Sequence, residues 1–213
     1  ADKLISDLAP KIFRRPLTPT EVTTYTGLAR GTTGARTQAE GMELALAVML
    51  SSPQFLYRSE VGELSSGNVY KLTGYEMATY LSYTLTGSTP SAALLTAAAN
   101  GNLNTVAGIR QQAATLLNAA NTKLLLSDFV NRWLATESLP TQSKDGIANF
   151  AQLAKDMELE LGKNFSTAML DSTATFATIY NPTYTNINQR LATHYGLAFT
   201  GTKDADGFVR ANT

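Results

Sequence analysis

The stretch Leu72 to Pro90, LTGYEMATYLSYTLTGSTP, decides the fold class of this chain. A threonine followed three residues later by a glutamate satisfies two orphan backbone donors at once, and Thr73 with Glu76 supplies that pair ahead of an apolar run. Gly87 then provides the residue that tolerates a left-handed helix end. The spacing predicts a helix over Tyr75–Thr86. Two further stretches repeat the grammar. Thr18 and Glu21, with Pro19 at the first helical position, predict a helix to about Arg30 that stops at Gly31. Thr37 and Glu40 predict another through Leu44, Val48 and Leu50, ended by Ser51, Ser52 and Pro53. Three such starts, each with a breaker behind it, specify a helical protein.

Outward from these starts the periodicity continues. Leu4, Ile5, Leu8 and Ile12 recur at helical spacing, with Pro10 expected to kink that helix or delay its start. A short helix is expected after Thr89 and Pro90, through Leu94 and Leu95, to near Gly101. Val106, Ile109, Ala113 and Leu117 define a further face, and Asn121 a cap for the helix that aligns Leu125, Phe129 and Trp133. The longest run, Ile147–Leu170, carries the stripe Phe150, Leu153, Met157, Leu161, Phe165 and Met169. A last helix is expected over Asn186–Tyr195, stopping at Gly196. Extended structure is expected only near Asn68–Leu72 and within Thr173–Thr185. The sequence therefore predicts an all-α protein, a multi-helix bundle of about eight helices with a small N-terminal helical module.

Composition narrows the function classes. Of 213 residues, 44% are hydrophobic, enough for a buried core. Seventeen basic residues balance seventeen acidic ones, so bulk charge does not favour nucleic acid or an anionic membrane. The longest apolar run, Leu44–Leu50, is far short of the roughly 20 residues that span a bilayer. There is no cysteine and one histidine, His194, which excludes thiolate chemistry, disulfides, iron–sulfur clusters and covalent haem attachment within the sequence. Phosphate-cradling glycine loops, HExxH, GxSxG and calcium-loop motifs are absent from it as well.

The remaining candidates are individual residues. His194 could ligate haem or a metal, but its place before Gly196 predicts a capping or packed histidine. Arg14 and Arg15 could clamp an anion; cations closing a helix are expected to complement its dipole. Asp156, Glu158 and Glu160 offer paired carboxylates for acid–base work, yet with Lys155 and Lys163 beside them they are expected to form a solvated charged face. Phe55, Tyr57 and Arg58, and Phe129 with Trp133, could bind a sugar or a cofactor ring, and aromatics at this spacing are expected in the core. No catalytic, cofactor-binding or metal-ligating residue is assigned.

Five ordered words carry a family resemblance: KIFRRPLTPTE (Lys11–Glu21), SPQFLYR (Ser52–Arg58), LTGYEMATYLSYTLTGSTP (Leu72–Pro90), FVNRWL (Phe129–Leu134) and NQRLATHYGL (Asn188–Leu197). The chain resembles bacterial proteins with serial domains of unknown function 1595, 1592 and 1588, of the planctomycete and myxobacterial type. The resemblance implies three segments: 1–64 as a 1595-like helical module, 65–197 as a 1592-like bundle, and 198–213 as the start of an interrupted 1588-like module, with FVR at Phe208–Arg210. It implies a longer exported protein, secreted or periplasmic, with these modules beside c-type cytochrome-like and sometimes carbohydrate-binding domains. The expected function is a non-catalytic helical scaffold or interaction module. The alternative is a segment of a secreted redox or carbohydrate-active enzyme whose catalytic groups lie elsewhere. No cofactor is expected in this segment; haem would belong to a partner domain. The expected partners are the remainder of the longer chain or another subunit. From the polar tail beyond Leu197, an apolar surface at Tyr195, Leu197 and Phe199 is expected, awaiting cover by following residues or a second chain.

Overall fold

The computed structural model describes residues 2–32, 34 and 37–213, without the side chain of Leu4, so that part of the first apolar stripe lies outside the described residues. Two compact units follow one another along the chain, Ala1–Leu116 and Leu117–Thr213. Among the described residues helix dominates, in eleven α-helices and two 3₁₀ turns rather than about eight helices, and the expectation of an all-α chain is corrected by two small antiparallel ribbons.

In the first unit, helices α1 (Asp2–Phe13), α2 (Pro19–Ala29) and α3 (Gln38–Leu50) surround Ile5, Ala9, Ile12, Phe13, Tyr25, Ala29, Ala45 and Met49. Pro10 sits inside α1 without delaying its start. Both capping boxes form as the sequence predicts: Thr18 and Thr37 each accept from the N–H three residues on, and Glu21 and Glu40 return the bond to the cap backbone. Gly41 lets α3 approach α2, because a Cβ there would meet the carbonyl of Leu28 and lie 2.6 Å from the N of Gly31.

After the four-residue α4 (Pro53–Leu56), strands β1 (Glu63–Ser66) and β2 (Val69–Lys71) pair antiparallel, with Glu63 opposite Lys71. The extended segment expected at Asn68–Leu72 is thus one arm of a hairpin. Helix α5 (Gly74–Thr86) carries the third capping box and ends at Gly87 in the left-handed conformation. Helix α6 (Ala92–Ala99) starts two residues later than the Pro90 signal, because Ser91 rather than Thr89 accepts the capping N–H. A 3₁₀ turn at Asn102–Asn104 leads into α7 (Val106–Leu117). Ala78, Leu81, Leu94, Ala98 and Leu103 form their core.

In the second unit, α8 (Ala120–Trp133) begins after Ala119, so Asn121 is not its cap. Past a 3₁₀ turn at Thr136–Thr141 comes α9 (Phe150–Leu170), the spine of the unit, followed by α10 (Phe176–Tyr180), β3 (Tyr184–Ile187), α11 (Gln189–Tyr195) and β4 (Val209–Asn212). Asn186 and Ile187 belong to β3, and Asn188 accepts from the Leu191 N–H, so that α11 starts three residues later than the sequence suggests.

The polar tail carries a strand: β4 pairs with β3, Ile187 opposite Val209, and Phe208 and Val209 join Leu153, Ile187, Leu191 and Ala192 in the core. Leu197 and Phe199 pack against this cluster, so of the three side chains expected to form an apolar surface only Tyr195, 40% exposed, stays outside. Burying two adjacent residues at a strand start leaves no periodic signal in the sequence.

Candidate functional site

The first unit contains a cavity of about 380 Å³ where three of the ordered sequence words meet. Arg14, from the first word, stands one residue past the end of α1 in the left-handed conformation, at φ 58°, which costs a residue with a Cβ on the order of 1–2 kcal/mol. Its side chain is only 6% exposed. Nη2 donates to the carbonyls of Gln54 at 2.6 Å and Tyr57 at 3.0 Å, and Nη1 reaches those of Ile12 and Phe55 at 3.4 Å. Arg14 is thus neither an exposed anion clamp nor a simple partner of the helix dipole. It fastens the second word, Ser52–Arg58, to the end of α1, and the strained backbone is held by those contacts.

Arg15 behaves differently. Its two terminal nitrogens reach the two oxygens of Glu21 at 2.8 Å, a bidentate pair. The Arg15 guanidinium, aided against burial by the Thr18 N–H, holds the Glu21 carboxyl down at about 2. The glutamate of a capping box therefore also anchors the preceding turn.

The third word contributes Glu76. Oε2 accepts from the N–H and hydroxyl of Thr73, at 2.8 and 2.9 Å, and Oε1 from the N–H groups of Val61 and Gly62, at 3.0 and 3.1 Å. Burial raises its pKa, but these donors together outweigh that and hold it below the ordinary carboxylate value. The capping box was legible in sequence; the second pair of donors, from a loop fourteen residues away, was not. Ser59, Glu63 and Tyr75 also line the cavity.

In the second unit the carboxylates of α9 are not the solvated face expected. Asp156 is 5% exposed and pairs with Arg190 of α11, Oδ2 to Nη1 2.6 Å. Glu160 accepts from the Tyr195 hydroxyl at 2.7 Å and from Thr185. Burial and the bond to Glu160 both raise the Tyr195 pKa. Asn164 donates to Thr185 at 3.0 Å and accepts from the backbone and side chain of Asn186 at 2.9 and 2.7 Å. Lys163 spans Asp204 and Asp206 at 2.8 and 2.6 Å. One helical face thus holds β3, α11 and the tail by charged and polar bonds. The error has a physical reason: the sequence shows the charges on α9 but not the partners that fold back over it. Glu158 joins none of these bonds.

His194 is exposed in the last turn of α11, its ring 5.4 Å from that of Tyr195. Among the described residues no three His, Asp or Glu side chains converge as a metal site. The aromatics expected in the core are largely outside it. Tyr57 is 67% exposed because α4 ends after one turn and the chain becomes extended there. Phe129 and Trp133 are stacked, 6.0 Å between centroids, and over half exposed, because α8 buries the adjacent stripe of Thr122, Val130 and Asn131.

The fold is therefore that of a serial helical protein whose shared words form its internal fastenings. Along the chain, residues 1–60 match the family of proteins of unknown function DUF1595 and residues 72–197 then match that of DUF1592. The chain belongs to the DUF1592 family. No curated protein and no solved structure matches it. Among the described residues no helix is long and apolar enough to cross a membrane.

Proposed function

We propose that this chain is a non-catalytic helical interaction module of a longer, exported bacterial protein. The observation that carries the reading is the apolar surface each unit presents. In the first unit Leu56, Tyr57, Val61, Leu64, Val69 and Tyr70 are all at least 60% exposed, and both hairpin strands are uncovered. A two-stranded hairpin is marginal in water without a packed face. In the second unit Phe129, Trp133 and Leu134 are half exposed in succession. Surfaces of this composition, aromatic and rimmed by polar residues, suit docking to another protein.

The partner fits the remainder of the longer chain or another subunit of an exported assembly, with any haem held on that partner, a cytochrome-like domain in the favoured case. The serial match to two family modules supports the multidomain setting. Photo-crosslinking amino acids placed at Tyr57 and Trp133 of the full-length protein in its native host test the reading. Cross-links to a defined domain or subunit at either position support it, and a Soret band in the cross-linked fraction supports the cytochrome partner. Absence of cross-links at both positions, in protein shown to be folded and exported, refutes the docking role.

A further inference from the structure

We infer that the outer face of the β1–β2 hairpin binds a second copy of this chain, hairpin on hairpin about a two-fold axis. The inference rests on the docking role proposed above and names the occupant of one of its surfaces. Residues opposite one another in a strand pair share a face, and successive residues alternate between faces. Glu63 opposes Lys71 and Leu64 opposes Tyr70, so the charged pair lies on one face and the apolar pair on the other.

The charged face is turned towards the rest of the unit. Glu63 lines the cavity, and Lys71 Nζ donates to the carbonyl of Asn104 at 2.8 Å. Leu64 and Tyr70 therefore point away from it, and each is more than 60% exposed. An antiparallel pair with one wet face ordinarily turns its polar side chains to water and its apolar ones inward. This hairpin does the reverse, and a two-stranded ribbon without a packed apolar face is marginal in water.

Three features fit a second copy to this face. The Leu64–Tyr70 pair is uncharged and the turn beside it, Gly67 and Asn68, adds no charge, so two copies meet without like charges opposed. The pair is also self-complementary. A two-fold axis parallel to the strands sets Tyr70 of one copy over Leu64 of the other, twice, a large side chain on a small one each time. The area is of the right scale as well. With Leu56, Tyr57, Val61 and Val69, also at least 60% exposed, the apolar surface over residues 56–70 is on the order of 700 Å², against ~800 Å² for each partner of a standard interface. Two hairpins face to face form a four-stranded sandwich, and each gains the packed face it lacks alone.

Sedimentation velocity of the whole chain over a wide range of concentrations tests this. The parent chain is expected to pass from monomer to dimer and no further, since a two-fold contact closes. Leu64→Glu and Tyr70→Lys, each alone, place a charge in the apolar contact without touching a buried group. Each is expected to weaken the dimer about tenfold or more, with Tm unchanged at concentrations where the parent is monomeric. An equimolar mixture of the two variants is expected to dimerise more tightly than either alone, because the two-fold sets the new carboxylate opposite the new ammonium. Val106→Glu, at an equally exposed position of α7, is expected to leave the dimer as it was. The inference is overturned if the parent chain stays monomeric or associates past the dimer, if Leu64→Glu dimerises as tightly as the parent, if Val106→Glu weakens the dimer as much, or if the mixture is no tighter than its components. A monomeric chain that still cross-links through Tyr57 to a different polypeptide overturns the second copy as occupant and leaves the docking role in place.

Discussion

Arg190 of α11 holds Asp156 of α9 across 34 positions of sequence, Nη1 to Oδ2 at 2.6 Å, with the carboxylate buried and the guanidinium half exposed. Arg190→Met strands that carboxylate and is expected to lower stability by ~1–3 kcal/mol. Arg190→Met with Asp156→Leu should recover most of the loss, since replacing both partners removes the unsatisfied group. Urea midpoints of the single and double variants check this.

The Arg15–Glu21 pair predicts the acid limb of the stability curve. A carboxyl held down at about 2 in the folded chain binds fewer protons there than when unfolded, where its reference value is 4.5. Its contribution is present in full above that reference value and is lost as pH falls through it towards 2. Glu21→Gln is expected to flatten the loss over that window while removing stability at neutral pH, as read by denaturant titrations at successive pH values.

Thr73 accepts from the Glu76 N–H at 3.2 Å, and Thr73→Ala is expected to cost on the order of 1 kcal/mol. Glu76→Ala should cost more, because it also abandons the N–H groups of Val61 and Gly62. An unchanged urea midpoint in Thr73→Ala would mean that α5 does not depend on this cap.

The local code of the chain was readable in advance. Thr18, Thr37 and Thr73 cap as read, Gly87 and Gly196 end helices in the left-handed conformation, and the long α9 begins within three residues of its expected start. What escaped was pairing at a distance. Arg14 reads as a cation after a helix until Gln54 and Tyr57 are seen around it, and Asp156 reads as solvated until Arg190 arrives. Nothing in the local spacing encodes those encounters. The exposed faces differ from expectation for a related reason: a four-residue step such as Phe129–Trp133 marks one side of a helix without saying whether that side is the packed one.

Gly41 sets the spacing of α2 and α3. Gly41→Ala places a methyl against the Leu28 carbonyl and the Gly31 backbone, which cannot rotate away, and is expected to destabilise the chain by ~1–3 kcal/mol. Gly67→Ala, where a Cβ meets nothing but the φ is +55°, isolates the backbone cost for comparison of Tm values.

Phe208 is 3% exposed in the core of the second unit, and Phe208→Ala is expected to cost ~3–5 kcal/mol. Lys163→Met releases Asp204 and Asp206 and should speed proteolysis within residues 198–207 while leaving the α8–α9 packing protected from hydrogen exchange.

Because β4 pairs with β3 but follows it by more than twenty residues, the second unit has an order of assembly imposed by synthesis. Residues 117–197 leave the ribosome with Ile187 and Leu191 lacking the side chains that cover them, and pairing completes only after residue 212 emerges. During that interval β3 offers an open edge and an apolar flank, the combination that favours wrong partners. A chaperone that recognises extended apolar segments would find its target there during translation and lose it once Phe208 and Val209 have docked.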